Sequence, residues 1–471
     1  MNKTKIIATV GPVSNSTEKL EQLIKNGVDV FRINLSYATK EFCLDIKEKL
    51  DYLTQKLNTN IALMFDTCGP EVRVGRIHEK EAELITDTKI RIYTDDVLGD
   101  QTKFSLDYKR LIKDVNYDTI IKLSNGKVEL QVLDKGNDYL LCLVIKGGIV
   151  RENSIANILD VDLDLPFISE KDKDFIKFAD ELNIDFLCLS AVESHEHILE
   201  ANDLLIDLGN NHMSIIAKIQ NEQAITNIDE IINASDGVLI SRGDLGIEVP
   251  MERIPGIQKT IVSKCQDKGK ISIVATEMMA SMENNLVPTR AEVSDVANAV
   301  LDGTDAVMLS GETTIGKYPV ETVIAMEKIL ESAEHDIEYT EFIDKALKTE
   351  NKDITGLIAH SVTDAALYLK CKAIFTPTMS GYTARKISRF RPYCPIIAAS
   401  PDIETVKSLQ LYFGVYPILI NEPKTIDRVI ELSKKHIKDK IDINPKDKYI
   451  ITGGYPFKEV KYTNFMKIEE M

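Results

Sequence analysis

Eight short runs of apolar, often β-branched residues alternate with amphipathic stretches of helical period, and this alternation limits the fold of the 471-residue chain more than any other feature. The runs are KIIATVG from Lys5, VDVFRINLS from Val28, IALMFDT from Ile61, DFLCLSAV from Asp185, SIIAKIQ from Ser214, GVLISRGDLG from Gly237, SIVATEM from Ser272 and AVMLSGET from Ala306. Strands apolar on both faces belong to parallel sheets that are covered on both sides. The helical stretches begin near Thr17, Cys43, His197, Ile257 and Ala291, and Thr289 with Glu292 has the spacing of a capping box. Eight such units are the number that closes an α/β chain into a (β/α)8 TIM barrel, while the pattern alone leaves a doubly wound sheet open.

The alternation breaks twice. After Asp66-Thr67 the next helical pattern, SEKDKDFIKFADEL, starts only at Ser169, and the intervening residues show period-two strands and the hairpin dipeptide Asn125-Gly126. After the eighth unit the charged stretch YTEFIDKALKTENKD reads as a connector, followed by strands KAIFT, PIIAAS, VYPILI and KYIITGG separated by helices. The expected division is a barrel of residues 1–67 and 166–338, an inserted small β-barrel lid of residues 68–165, and a C-terminal α/β regulatory domain of residues 339–471.

Charge narrows the partners. Lys plus Arg number 57 against 74 Asp plus Glu, a formal charge of −17, which argues against nucleic acid and against an anionic membrane surface. No apolar run approaches the ~18 residues that span a bilayer. The first residues, MNKTKIIATVGP, read as a strand and turn instead of a signal peptide, and the seven scattered Cys suit reduced thiols, so a cytoplasmic protein is expected.

In a (β/α)8 barrel the chemistry gathers at the carboxyl ends of the strands. The second run ends in Arg32, Asn34 and Ser36, the third in Asp66 and Thr67, the fifth in Lys218 and Gln220, and the sixth in Arg242, Gly243 and Asp244. The seventh ends in Thr276 and Glu277, the eighth in Ser310 and Glu312. Cations beside an Asp suit a phosphorylated substrate and a divalent metal, and the neutral oxygens suit a hard cation, monovalent or divalent. GETTIGK at Gly311–Lys317 imitates a phosphate loop, but Tyr318 stands where that loop needs Ser or Thr. His195 and His197, two residues apart, read as surface residues and not as ligands.

The segments TKIIATVGP, FRINLS, DTCGPEVR, AKIQNEQAITNIDEI, ASDGVLISRGDLGIEVP, ATEMM and PTRAEVSDVANAVLDGTDAVMLSGETTIGKYP resemble pyruvate kinase, and the resemblance runs over essentially the whole chain. It implies a glycolytic phosphotransferase that moves phosphate from phosphoenolpyruvate to ADP, uses Mg²⁺ (or Mn²⁺) and K⁺, answers to a phosphorylated effector and assembles as a homotetramer. Carried over by residue, it implies catalytic roles for Lys218, Arg32 and Thr276. Substrate contacts fall to Arg32, Gly243, Asp244 and Thr276, and the nucleotide-facing positions are Arg73 and Tyr37. Asp244 and Gln220 fall at the Mg²⁺ position, Asn34, Ser36, Asp66 and Thr67 at the K⁺ position, and Glu71 matches the K⁺-dependent branch. Thr376, Thr378, Ser380 and Thr383 of TPTMSGYTARKI fall on the effector loop, which on its residues alone also reads as an ordinary hydroxyl-rich turn.

The departures cluster. Gln220 replaces the family's second Mg²⁺ carboxylate, and Glu277 stands where the family has Gln, so the local carboxylate count is unchanged. Cys68 replaces a lysine, Glu193-Ser194 replace Arg-Lys, and Tyr37-Ala38 replace His-Gly. A catalytically impaired relative that binds phosphoenolpyruvate or a sugar phosphate as a sensor is the alternative these changes raise, and another barrel enzyme of phosphoenolpyruvate a third.

Overall fold

Each of the eight runs is a strand in the computed structural model, which describes residues 2–161, 163–349, 353–423, 425–455 and 462–471. They are β1 (Lys5–Thr9), β2 (Val30–Asn34), β3 (Ala62–Asp66), β4 (Phe186–Leu189), β5 (Ser214–Ile219), β6 (Gly237–Ser241), β7 (Ile271–Ala275) and β8 (Ala306–Leu309). All pair in parallel, and β8 returns to β1 through Lys5 opposite Ala306, closing the barrel. The doubly wound alternative is thereby excluded for this part of the chain. Side chains alternate as the pleat requires: Ile7, Val30, Met64, Phe186, Ile216 and Leu239 fill the interior cluster, while Ile6, Phe31, Leu63 and Leu187 pack in the cluster shared with the helices. Register then levels the strand ends, with Asn34 opposite Asp66 and Asp66 opposite Cys188.

Caps set the helices. Ser16, Thr39 and Ser169 each accept a bond from an N–H three residues on, and Thr289 with Glu292 forms the expected capping box. The Thr39 cap starts its helix at Lys40, three residues earlier than the apolar pattern predicts. The stretch taken as a connector is a helix over Tyr339–Thr349, with Ile343 and Ala346 buried; residues 350–352 of that stretch lie outside the described residues. Its charge density hid a narrow apolar stripe.

Between β3 and the helix Glu170–Glu181 the chain forms a seven-stranded sheet and a two-stranded one around its own core of Val74, Ile92, Phe104, Leu130 and Val144. A bridge between Val74 and Leu106 draws the two edges of the larger sheet together. The Asn125-Gly126 turn forms as expected, with Ser124, Asn125 and Gly126 all at positive φ.

The last part carries β9 (Ile374–Pro377), β10 (Ile396–Ser400), β11 (Val415–Leu419), β12 (Lys448–Gly453) and β13 (Phe465–Glu470), in the order β11-β10-β9-β12-β13. The four expected strands are parallel; β13 adds an antiparallel edge that the charged sequence FMKIEE does not announce. This sheet is tied to the base of the barrel. Arg391 Nη1 donates to Asp305 Oδ1 at 2.6 Å, Arg391 Nη2 to Gly303 O at 2.7 Å, and the Phe413 N–H to Asp305 Oδ1 at 3.2 Å. The Gly414 N–H reaches Lys3 O at 2.8 Å, and Tyr416 hydrogen-bonds Asn2 O.

Candidate active site

Because the strand ends are level, polar residues that follow different strands meet above the barrel interior. Asp66, at the end of β3, is fully buried and joins them. Its Oδ2 accepts from Arg32 Nε at 2.7 Å, and its Oδ1 accepts from Lys218 Nζ and from Ser190 Oγ, both at 3.1 Å. Ser190 in turn accepts from Lys218 Nζ at 2.9 Å, and Arg32 Nη1 donates to Thr9 Oγ1 at 3.0 Å. Burial works to raise the Asp66 pKa, yet the two cations hold it below the usual carboxylate range. Burial also works to lower that of Lys218, but Asp66 together with Asp244 outweighs it, so the lysine stays charged with its pKa above the ordinary value.

Within this network two cations share one carboxylate, and Asp244 acts on Lys218 from beside it. Ser190 and Thr9 belong to this network and were not anticipated. Each is a lone hydroxyl at the end of an apolar strand, and only the closed barrel brings it beside a charge.

Thr276 and Glu277 both take left-handed backbone, φ +66° and +53°, which is costly for a β-branched residue. The Thr276 hydroxyl accepts from the Gly243 N–H at 2.7 Å and donates to Ala275 O at 2.6 Å. Arg242 points its guanidinium into the protein, pairing with Asp295 at 2.7 Å and donating to Thr276 O at 2.8 Å. Arg242 therefore fixes the strained turn and is spent there. Asp244 Oδ2 accepts from Gln220 Nε2 at 2.6 Å and from Ser241 Oγ at 2.5 Å. Glu277 is exposed.

On the side of the inserted sheet, Arg73 pairs with Glu71 and lies 5.9 Å over the Tyr37 ring, so the two residues assigned to the nucleotide come together. Asn34 Oδ1 accepts from the Ser36 N–H at 3.0 Å, and Ser36 Oγ donates to Glu71 Oε1 at 3.4 Å. Asp66 and Thr67, grouped with them in the sequence, turn their oxygens to the other network, where Ser190 Oγ also donates to Thr67 O at 2.7 Å. The Cys68 thiol is pushed up by burial first and by Asp172 next, which disfavours the reactive thiolate.

Away from the mouth, Glu193 Oε1 accepts from Asn221 at 2.9 Å, and Ser194 precedes the helix His195–Asp207. His197 stacks on Phe167 at 4.0 Å. His195 Nδ1 lies 3.3 Å from Glu196 and 3.4 Å from Glu230, a surface ion pair when protonated. Neither reaches the mouth network.

Two family models match. "Pyruvate kinase, barrel domain" covers residues 1–323, and "Pyruvate kinase, alpha/beta domain" residues 357–469. The chain belongs to the pyruvate kinase family. Curated pyruvate kinases from Sporosarcina psychrophila and Staphylococcus saprophyticus are each 39% identical over 473 residues, and one from Geobacillus stearothermophilus is 39% identical over 468. Each alignment takes in 99% of this chain and 80% of the relative.

The α/β part of the pyruvate kinase fold carries a cavity of about 960 Å³ at the carboxyl ends of β9 and β10. Thr378, Ser380 and Thr383 line it, with Arg385 as a cation. Thr376 does not line it: the residue is fully buried within β9, and its hydroxyl has no partner. It lies one pleat below Thr378, inside the strand and short of the loop that walls the cavity. Among the described residues no helix is long and apolar enough to cross a membrane.

Proposed function

We propose that the mouth of the barrel transfers phosphate from phosphoenolpyruvate to ADP, giving pyruvate and ATP. The observation that carries the reading is the Arg32–Asp66–Lys218 network, two cations held rigid by a buried carboxylate. Arg32 grips the phosphate of phosphoenolpyruvate. Lys218, kept protonated, faces the phosphoryl group in flight and the enolate left behind, which is where charge develops. Gly243 and Asp244 receive the substrate carboxylate at the helix Arg242–Glu248, and Thr276 holds that turn on the face where the enolate is protonated. Arg73 and Tyr37 hold the nucleotide.

The oxygens of Asn34, Ser36, Asp66 and Thr67 fit a monovalent cation such as K⁺, being hard donors of low total charge. Such an ion, when bound, adds positive charge beside the transferred phosphate. The Mg²⁺ (or Mn²⁺) position fits less well, since Asp244 offers a carboxylate but Gln220 presents an N–H to it.

Pyruvate formation from phosphoenolpyruvate and ADP, with Mg²⁺ or Mn²⁺ and with or without K⁺, tests the reading. Turnover that needs K⁺ and falls by about 10² or more in Lys218→Met supports it, since one such donor is worth ~10²–10³. Calorimetric binding of phosphoenolpyruvate with no turnover under either metal would favour the sensor reading, for which the Gln220–Asp244 bond speaks. Thr378, Ser380, Thr383 and Arg385 form the proposed effector site, tested by titrating sugar phosphates against Thr378→Ala. The homotetramer is tested by sedimentation.

A further inference from the structure

Gln220 lies between two partners of opposite kind. Its Oε1 accepts from the Ala191 N–H at 2.5 Å, and its Nε2 donates to Asp244 Oδ2 at 2.6 Å. A backbone N–H can only donate and a carboxylate can only accept, so the amide has one orientation here. Ala191 is itself in left-handed backbone, φ +53°, which aims its N–H at the glutamine. Asp244 Oδ2 takes a second bond from Ser241, so this oxygen is satisfied without any cation.

A glutamate at position 220 would behave differently. One oxygen could still accept from Ala191, but the other would lie against Asp244 Oδ2 with no proton between them. Two carboxylates in that contact repel unless a cation or a proton joins them. The glutamine thus makes the cation-free state self-complementary, and a glutamate would make it unstable. For Gln220 to ligate a metal beside Asp244, its amide must turn Nε2 away from Asp244 Oδ2 and give up that bond, because the atom that now faces the carboxylate is a donor.

We propose that the free protein holds no divalent cation at Asp244, and that Gln220 is a hydrogen-bonded clasp on Asp244 in place of a metal ligand. The cation enters only with phosphoenolpyruvate, whose phosphate and carboxylate oxygens supply the ligands the protein lacks. This rests on Asp244 being the metal-facing carboxylate of the reading above.

Mn²⁺ binding to the full-length protein, followed by electron paramagnetic resonance with and without phosphoenolpyruvate, tests it apart from activity. The wild type should bind Mn²⁺ only with phosphoenolpyruvate present, and Gln220→Glu should bind it alone, at least about tenfold more tightly, as an added ligand charge allows. Gln220→Ala, which does not depend on the glutamate being tolerated, should keep its affinity in the presence of phosphoenolpyruvate within about threefold of wild type. Wild-type Mn²⁺ binding without phosphoenolpyruvate as tight as that of Gln220→Glu would overturn the proposal. So would a loss beyond about tenfold in Gln220→Ala with phosphoenolpyruvate, because Gln220 would then be a ligand. Undiminished Mn²⁺ binding by Asp244→Asn with phosphoenolpyruvate would instead overturn the placement of the metal.

Discussion

Asp66 is the residue on which the mouth turns, since it hydrogen-bonds both buried cations. Asp66→Asn takes that carboxylate charge from Arg32 and Lys218, and a loss of about 3–5 kcal/mol is expected in urea denaturation, the cost of breaking a buried pair from one side. The pH dependence follows from the two shifts. Asp66, with its pKa lowered on folding, adds stability above the ordinary carboxylate range that disappears as pH falls through its folded value. Lys218, with its pKa raised, adds stability below the ordinary lysine range that disappears as pH rises through its folded value. The network is therefore whole at neutral pH and fails at both ends. Ser190→Ala, which removes an oxygen that both charged groups touch, should lower kcat by about tenfold to a hundredfold with KM little changed, because misplacing Lys218 costs rate more than binding. The charged members of this site were legible because a charge at a strand end is conspicuous. Ser190 was not, because a single hydroxyl after an apolar run carries no signal until the barrel closes.

Elements follow the same logic of local cues. Parallel strands buried on both faces print continuous apolar runs, so all eight barrel strands were visible, while β13 and the helix Tyr339–Thr349, each half exposed and charged, were not. The capping box of the helix Arg290–Asp302 was plain from two residues, and Thr289→Ala should cost about 1 kcal/mol, read as a lowered Tm. At its other end Gly303 has φ +92°, and a Cβ there would meet Phe342 Cε1 at 2.7 Å. Gly303→Ala should therefore cost at least about 2 kcal/mol in the same measurement.

The end of the helix Arg242–Glu248 meets the inserted sheet, where Lys122 donates to Ile247 O. Glu248 lies on the exposed rim there, and partial desolvation, then Glu193 and Asp160, raise its carboxyl toward about 7 against the partial relief of Lys122 and of a backbone N–H at Glu222. A raised folded pKa gives stability that is full below about 4.5 and lost as pH rises through about 7. Hydrogen exchange across Ile120–Leu123 should be slower at pH 5 than at pH 8 beyond the intrinsic rate change, and Glu248→Gln should remove that difference.

At the scale of the whole molecule, the barrel and the C-terminal sheet share one continuous apolar cluster, from Ile7 and Met308 to Ile374 and Ile450. Arg391 and Asp305, each nearly sealed from solvent, cross that boundary. Arg391→Met should cost about 3–5 kcal/mol. In calorimetry it should split a single unfolding transition into two if this pair carries the coupling. The same joint orders events during synthesis. Asp305 forms the foot of β8, which closes the barrel on β1, and its partners Arg391 and Phe413 are made 86 and 108 residues later. Residues 2 and 3 likewise wait for Gly414 and Tyr416. A growing chain that has just completed its eighth strand thus has Asp305 Oδ2 held by Ser272 but its Oδ1 still open at the barrel's foot, and the ribosome must pass residue 416 before the first strand has all of its neighbours.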